Sequence, residues 1–142
     1  MTKTVLIVED SRVQAQAIGA MFQQLGFRTD SVASHAEALE KLRGDSFDLL
    51  LLDVFLAEDN SLDHLHEYKA LQPGLAIAVM TAGDFTESDS VAEAINRARR
   101  SHVDYILAKP FKLIDVEHIS KELESRQVDA MISIEANTVF LR

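Results

Sequence analysis

Cysteine is absent from the 142 residues, which excludes disulfides and thiolate-held metals. Long apolar runs are missing too. Stretches such as Val5 to Val8 and Leu49 to Leu52 are far too short to cross a bilayer. The N-terminal Met1-Thr2-Lys3 leads straight into a strand-like run rather than into the longer apolar stretch of a signal peptide. A cytoplasmic location is therefore expected. Basic charge is also in deficit. A formal net charge of −9 argues against nonspecific nucleic-acid binding, which needs a positive footprint. An acidic balance can otherwise serve solubility alone. No repeat, low-complexity tract or linker interrupts the chain before its last stretch. The length suits one domain with a real core, and 47% apolar with 26% charged residues is ordinary for a globular protein.

What is present is alternation. Thr4 to Val8 is a short β-branched, apolar run. From Ser11 to Leu25, apolar residues recur at helical spacing (Val13, Ala17, Ile18, Met21, Phe22, Leu25), with a Ser11/Gln14 capping box before them and Gly26 after them. Arg28 to Ala33 is a more polar strand candidate. Ser34 to Arg43 is a second capped helix, ended by Gly44. Phe47 to Leu52 predicts a third strand, and a helix over about Leu62 to Leu71 follows, stopped by Pro73-Gly74. Leu75 to Met80 and Val103 to Ala108 predict two more strands. Glu87 to Arg100 predicts a helix between them, and Leu113 to about Arg126 predicts a last helix with Val116, Ile119 and Leu123 on its stripe.

Five strands alternating with five helices imply βαβ units and a parallel sheet. Strands without polar alternation fit burial on both faces, and the polar second strand fits a sheet edge. Right-handed crossovers then place helices on both faces. The expected fold is α/β, a doubly wound five-stranded parallel sheet with strand order 2-1-3-4-5.

In such a sheet the carboxyl ends of the strands converge on one crevice. Glu9 and Asp10 follow the first strand, Asp53 the third, Thr81 the fourth and Lys109 the fifth. Three crowded carboxylates repel one another. A hard divalent cation such as Mg²⁺, together with Lys109, would balance them. A site neutralised in this way can receive a dianionic phosphoryl group, with Asp53 as nucleophile and Thr81 as hydrogen-bond donor. Each residue alone has a plainer role: Asp10 as a helix cap, Asp53 in a turn, Thr81 as a β-branched strand residue, Lys109 as a solvated surface lysine. Their joint placement at four strand ends is what points to chemistry.

The segments Val5-Leu6-Ile7-Val8-Glu9-Asp10-Ser11, Leu50-Leu51-Leu52-Asp53, Met80-Thr81-Ala82 and Ala108-Lys109-Pro110-Phe111 resemble the signature of response-regulator receiver domains, from about Thr4 to Arg126. The resemblance implies a flavodoxin-like fold and Mg²⁺ dependence. It implies phosphate transfer to Asp53 from a sensor histidine kinase or histidine phosphotransfer protein. It also implies a switch acting on an output protein that the sequence does not name. By matching position, Glu9 and Asp10 are the metal-holding pair and Asp53 is the phosphoacceptor. Thr81 is the switch hydroxyl, Lys109 the phosphate-pairing lysine, and the main-chain carbonyl of Phe55 a further metal ligand. The Lys109–Pro110 bond is expected to be cis. Such a protein catalyses its own phosphoryl transfer and slow dephosphorylation rather than acting as an enzyme on other substrates.

The departures from the family carry information. The usual proline four residues past the acceptor is Ala57, and the usual Asp-Gly turn is replaced by Asp59-Asn60-Ser61. The switch-aromatic position is Ile106, with Tyr105 one place earlier. Adjacent strand residues face opposite ways, so Tyr105 is an ordinary packed aromatic unless a bulge realigns it. The stretch between Thr81 and Lys109 is longer than usual. Arg97, Arg99 and Arg100 close its helix, either as favourable charge at a helix C-terminus or as a docking patch for an acidic partner. Phe55, bulky and apolar where the family overhangs the phosphoryl group, is expected to slow hydrolysis.

Residues 127–142 are read as a C-terminal extension, with no separate output domain expected. Its apolar residues leave a strand or short helix, packing on a partner and packing in a homodimer all open. Two other functions compete. One is a phosphorylation-independent receiver-like binding module. The other is an aspartyl-nucleophile phosphatase resembling the haloacid dehalogenases, which need a second Asp where Phe55 stands. Neither nucleic acid nor a membrane is an expected partner.

Overall fold

The computed structural model describes residues 2–56, 59–81 and 103–135, without the side chains of Asp59 and of residues 127–135. The expected helix over Glu87 to Arg100, with its Arg97, Arg99 and Arg100, lies outside these residues. So do Ala57 and the end of the tail. The chain divides into two units, Met1–Phe111 and Lys112–Arg142.

In the first unit the order is β1 (Thr4–Val8), α1 (Arg12–Gln24), β2 (Arg28–Val32), α2 (His35–Gly44) and β3 (Leu49–Asp53). A hairpin of β4 (Phe55–Leu56) and β5 (Asp59–Asn60) follows, then a 3₁₀ turn (Ser61–His64), α3 (Leu65–Leu71), β6 (Ala76–Thr81) and β7 (Tyr105–Ala108). The five long strands form one sheet in the order β2-β1-β3-β6-β7, every pair parallel. Counted along the chain this is the expected 2-1-3-4-5. The polar strand β2 lies at an edge, where a half-solvated strand costs least.

The two central strands are buried on both faces. Val5 to Val8 are at most 1% exposed and Leu49 to Leu52 fully buried. Leu6, Val8, Leu50, Leu52, Ile77 and Val79 pack with Ala38 and Leu42 of α2 and Leu65 and Tyr68 of α3. The alternate residues face α1, where Gly19 brings the helix backbone close enough that a Cβ would stand 3.9 Å from Ile7 Cδ1.

Several boundaries differ from the sequence expectation, each for a local reason. The third strand starts at Leu49 rather than Phe47, because the Phe47 amide donates to the Gln72 side chain at 3.2 Å. The last strand starts at Tyr105 rather than Val103. Just before it, the Asp104 carboxylate takes the Ile77 amide at 2.8 Å. The helix expected from Leu62 opens as a 3₁₀ turn, because the Asn60 side chain already holds the Leu62 amide at 2.9 Å. The β4–β5 hairpin was not expected.

The end of α1 shows how sequence sets geometry. Gly26 takes φ 89°. Its amide donates to Gln23 and that of Phe27 to Phe22, the two bonds of a Schellman cap. The Phe22 and Phe27 rings then meet edge to face at 5.1 Å.

In the second unit, α4 runs from Leu113 to Glu135, nine residues beyond the expected stop at Arg126. Residues 127–135 contain neither Pro nor Gly, so nothing in the backbone ends the helix. Among the described residues no helix is long and apolar enough to cross a membrane.

Two stability effects follow. Leu50→Ala should cost about 2–5 kcal/mol, because a fully buried side chain leaves a cavity. Gly26→Ala should cost about 1–2 kcal/mol from backbone strain alone, since nothing lies within 4 Å of the added carbon. Urea unfolding of both variants checks these values. A Gly26→Ala protein as stable as wild type would contradict the cap assignment.

Candidate functional site

Register decides which residues meet. Val8 pairs with Leu52, so Glu9 is level with Asp53. Asp53 pairs with Met80, and Thr81 with Ala108, so Lys109 lies one step past Thr81. Four strand ends thus bring Glu9, Asp53, Thr81 and Lys109 to one edge, as the alternation implied.

Lys109 is the centre of the contacts. Its Nζ donates to Asp53 Oδ2 at 2.7 Å, to Glu9 Oε2 at 3.1 Å and to Gln14 Oε1 at 2.8 Å. Three acceptors match the three protons of an ammonium. Glu9 is almost wholly buried, with 4% exposure, and its Oε1 accepts the Ser11 amide at 3.1 Å. Burial, followed by the neighbouring Asp53, holds the Glu9 carboxyl above its ordinary pKa, while the Ser11 amide and Lys109 oppose this. Burial alone would depress Lys109. The Asp53 and Glu9 carboxylates outweigh it, and the ammonium is held above its usual pKa.

The other carboxylate oxygen of Asp53, Oδ1, accepts the Phe55 amide at 3.1 Å. Asp10 is exposed at the same edge, in a cleft of about 490 Å³ shared with Glu9, Arg12, Ser31 and Glu37. The Thr81 hydroxyl is buried and has no hydrogen-bond partner among the described residues. Phe55 is 54% exposed. The Lys109–Pro110 bond is cis, as expected.

Tyr105 pairs with Ala78 and Ile106 with Val79, in unbroken register with Thr81–Ala108. Side chains alternate along a strand, so Ile106 shares the face of Thr81 and Tyr105 lies on the other. No bulge realigns them. Ile106 packs against the core cluster that contains Val79.

Lys109 stands between Glu9 and Asp53, and among the described residues no three His, Asp or Glu side chains form a ready-made metal cage.

Three residues at or near the site were not singled out from the sequence. Gln14 was read only as half of a capping box. Ser11 does accept the Gln14 amide at 3.3 Å, but the Gln14 side chain turns to Lys109 instead of returning to the cap. The other two are Ser61 and His35. The Ser61 hydroxyl donates to the Asp53 main-chain carbonyl and stands 3.2 Å from His35 Nε2. No local pattern marks these contacts, which span eight and twenty-six residues.

Known proteins share this fold. The sequence profile of the response regulator receiver domain matches residues 5–132. The chain is 30% identical over 120 residues to the transcriptional regulatory protein ZraR of Escherichia coli (strain K12), covering 84% of this chain and 25% of ZraR. It therefore spans about a quarter of that relative. The fold matches a CheY-like receiver domain protein of Methanospirillum hungatei JF-1 with TM-score 0.77 at 23% identity, covering 91% of this chain and 99% of that one. It also matches the receiver domain of the sensor histidine kinase PA1611 of Pseudomonas aeruginosa PAO1, whose structure has a magnesium ion coordinated in the active site cleft. There the TM-score is 0.71 at 25% identity, covering 87% of this chain and 98% of that one. With the profile spanning nearly the whole sheet and its strand-end residues gathered at one edge, this chain belongs to the response regulator receiver domain family.

Proposed function

We propose that the chain is a phosphorylation switch that accepts a phosphoryl group on Asp53 from a sensor histidine kinase or a histidine phosphotransfer protein. One observation carries the reading: the Lys109 ammonium lies 2.7 Å from Asp53 and 3.1 Å from Glu9, across 56 and 100 residues of sequence. A positive charge sits where an incoming phosphoryl group needs one, beside a carboxylate able to attack it.

The chemistry is a group transfer. A carboxylate oxygen of Asp53 attacks phosphorus. The bond from phosphorus to the donor's imidazole nitrogen breaks, and the imidazole keeps the electron pair and takes a proton from water. Most of the catalysis is positioning and charge neutralisation. Lys109 can follow the charge from the Asp53 carboxylate to the phosphoryl oxygens. The Thr81 hydroxyl, buried and unpartnered among the described residues, can donate to one of them. Because Ile106 shares that face and packs on the core, a shift of Thr81 would reach the core through Ile106 rather than through Tyr105.

The residues fit a hard divalent cation. Glu9, Asp10 and Asp53 carry three negative charges against the single charge of Lys109. The raised Glu9 carboxyl is what burial, and then under-compensated crowding with Asp53, produce. Oxygen donors from these side chains and the Phe55 carbonyl suit Mg²⁺, which would supply the missing positive charge when bound. The magnesium in the PA1611 receiver domain supports the same choice. Signalling would then pass through protein contacts to an output partner, and the transcriptional role in ZraR's name is not carried over to a chain matching a quarter of it.

Incubated with a small phosphodonor and Mg²⁺, the protein should gain one phosphoryl group by mass. Asp53→Asn or chelation of the metal should abolish the gain. A phosphoryl group that persists in Asp53→Asn would refute the assignment. Phe55, half-exposed beside the acceptor, should shield the acyl phosphate from water. Phe55→Asn should therefore speed dephosphorylation by roughly tenfold if it admits a positioned water. Loss of phosphoprotein with time after donor removal measures this, and an unchanged lifetime counts against the shield.

A further inference from the structure

Behind the acceptor lies a buried polar chain. Ser61 is fully buried, Tyr68 is fully buried and His35 is 8% exposed. The Ser61 hydroxyl contacts both the Asp53 main-chain carbonyl and His35 Nε2, the latter at 3.2 Å. His35 Nδ1 contacts the Tyr68 hydroxyl. The His64 ring stacks on His35 with centroids 4.2 Å apart, and His64 Nδ1 meets Glu67 Oε2 at 3.0 Å.

Proton counting gives this chain a direction. A carbonyl can only accept, so the single Ser61 proton goes to Asp53. The Ser61 oxygen must then accept from His35, which places a proton on Nε2. In the neutral imidazole Nδ1 is left as the acceptor, and Tyr68 donates to it. With His35 neutral, three hydrogen bonds then run one way, from Tyr68 on α3 through His35 on α2 and through Ser61, and end on the peptide of the acceptor. Aligned donors polarise one another in a dry interior.

Ser61 holds the loop twice. Its amide also donates to the Val54 carbonyl at 2.7 Å, so both peptides after the acceptor are fixed by one residue. The Asp53 carboxylate is in turn tied to that loop through the Phe55 amide. A rotation of the Asp53 peptide would carry the carboxylate with it, away from Lys109.

We propose that Ser61, driven by His35 and Tyr68, is a positioning residue for phosphoryl transfer to Asp53. This rests on the reading of Asp53 as phosphoacceptor. Its consequence is that the α2–α3 layer is wired to the acceptor through the main chain, by a path separate from Thr81 and Ile106.

The test uses the full chain, acetyl phosphate and Mg²⁺. The initial phosphorylation rate is followed over a range of donor concentration, with thermal melting in parallel. Ser61→Ala should lower the maximal rate roughly tenfold, a fraction of what an ångström of misplacement can cost. The half-saturating donor concentration should stay within about twofold of wild type, since the donor itself is not touched. Tyr68→Phe, which removes one oxygen three hydrogen bonds from the acceptor peptide and keeps the ring in the core, should slow the rate in the same sense. It serves as the decisive variant if Ser61→Ala does not fold. The His35 ring ¹⁵N resonances should move when wild type is phosphorylated, because the peptide they lead to changes partner geometry. A residue that merely holds the fold would shift the melting temperature and leave both the maximal rate and these resonances alone, and that result overturns the proposal. Failure of wild type itself to take phosphate would overturn the phosphoacceptor reading and this inference with it. A wild type that is phosphorylated alongside folded variants of unchanged rate would overturn the positioning role alone.

Discussion

The structure turns on an electrostatic constraint at the carboxyl edge of the sheet. Two carboxylates at the ends of different strands share one ammonium, and a third is exposed beside them. Glu9 is nearly buried, so water cannot relieve its charge, and Lys109 supplies only one unit. A buried pair of this kind contributes little net stability, because desolvation offsets most of the attraction. What it provides is a place where added positive charge or an added phosphoryl group changes the balance sharply. The hydrocarbon of the central strands, not the ion pairs, holds the fold together, and that leaves the edge free to be electrostatically unsatisfied.

The fold was legible because strand burial is written in composition. Leu49 to Leu52 read as doubly buried and are, and Arg28 to Ala33 read as an edge strand, of which Arg28–Val32 forms one. The residues gathered at the site were legible for the same reason. Once the strands and their order are known, parallel register brings their ends level, and Glu9, Asp53, Thr81 and Lys109 are the polar residues found there. What escaped was set by contacts between side chains far apart in sequence. The Phe47 amide taken by Gln72 moved a strand boundary. The helix through Glu135 ran on because nothing stopped it, and an apolar tail does not say in advance whether it will continue a helix. Gln14 carried a cap pattern that explained it adequately, and this hid its contact with Lys109.

Ser61 shows how a departure from a family pattern can be informative in itself. From the sequence, Asp59-Asn60-Ser61 is only a turn that lacks its usual glycine, and Asn60 does act there, through the Leu62 amide. In the fold the serine supplies a hydroxyl where glycine would supply none. A hydroxyl fully buried at this point costs a few kcal/mol if unpaired. Its retention is affordable only because Asp53 and His35 both meet it.

Pairing of Tyr105 with Ala78 and Ile106 with Val79 puts an aliphatic residue, not an aromatic one, on the face of Thr81. An aliphatic side chain has no polar tip to exchange between solvent and core. Its response to Thr81 is limited to a shift in packing, and packed interiors resist such shifts. The chain of Tyr68, His35 and Ser61 has no such limit. Each member is held by directional bonds, so a change at the Asp53 peptide would alter the geometry at the next donor along the line. With an aliphatic residue on that face, the polar route through α2 and α3 is the one tied to the Asp53 peptide by direct hydrogen bonding.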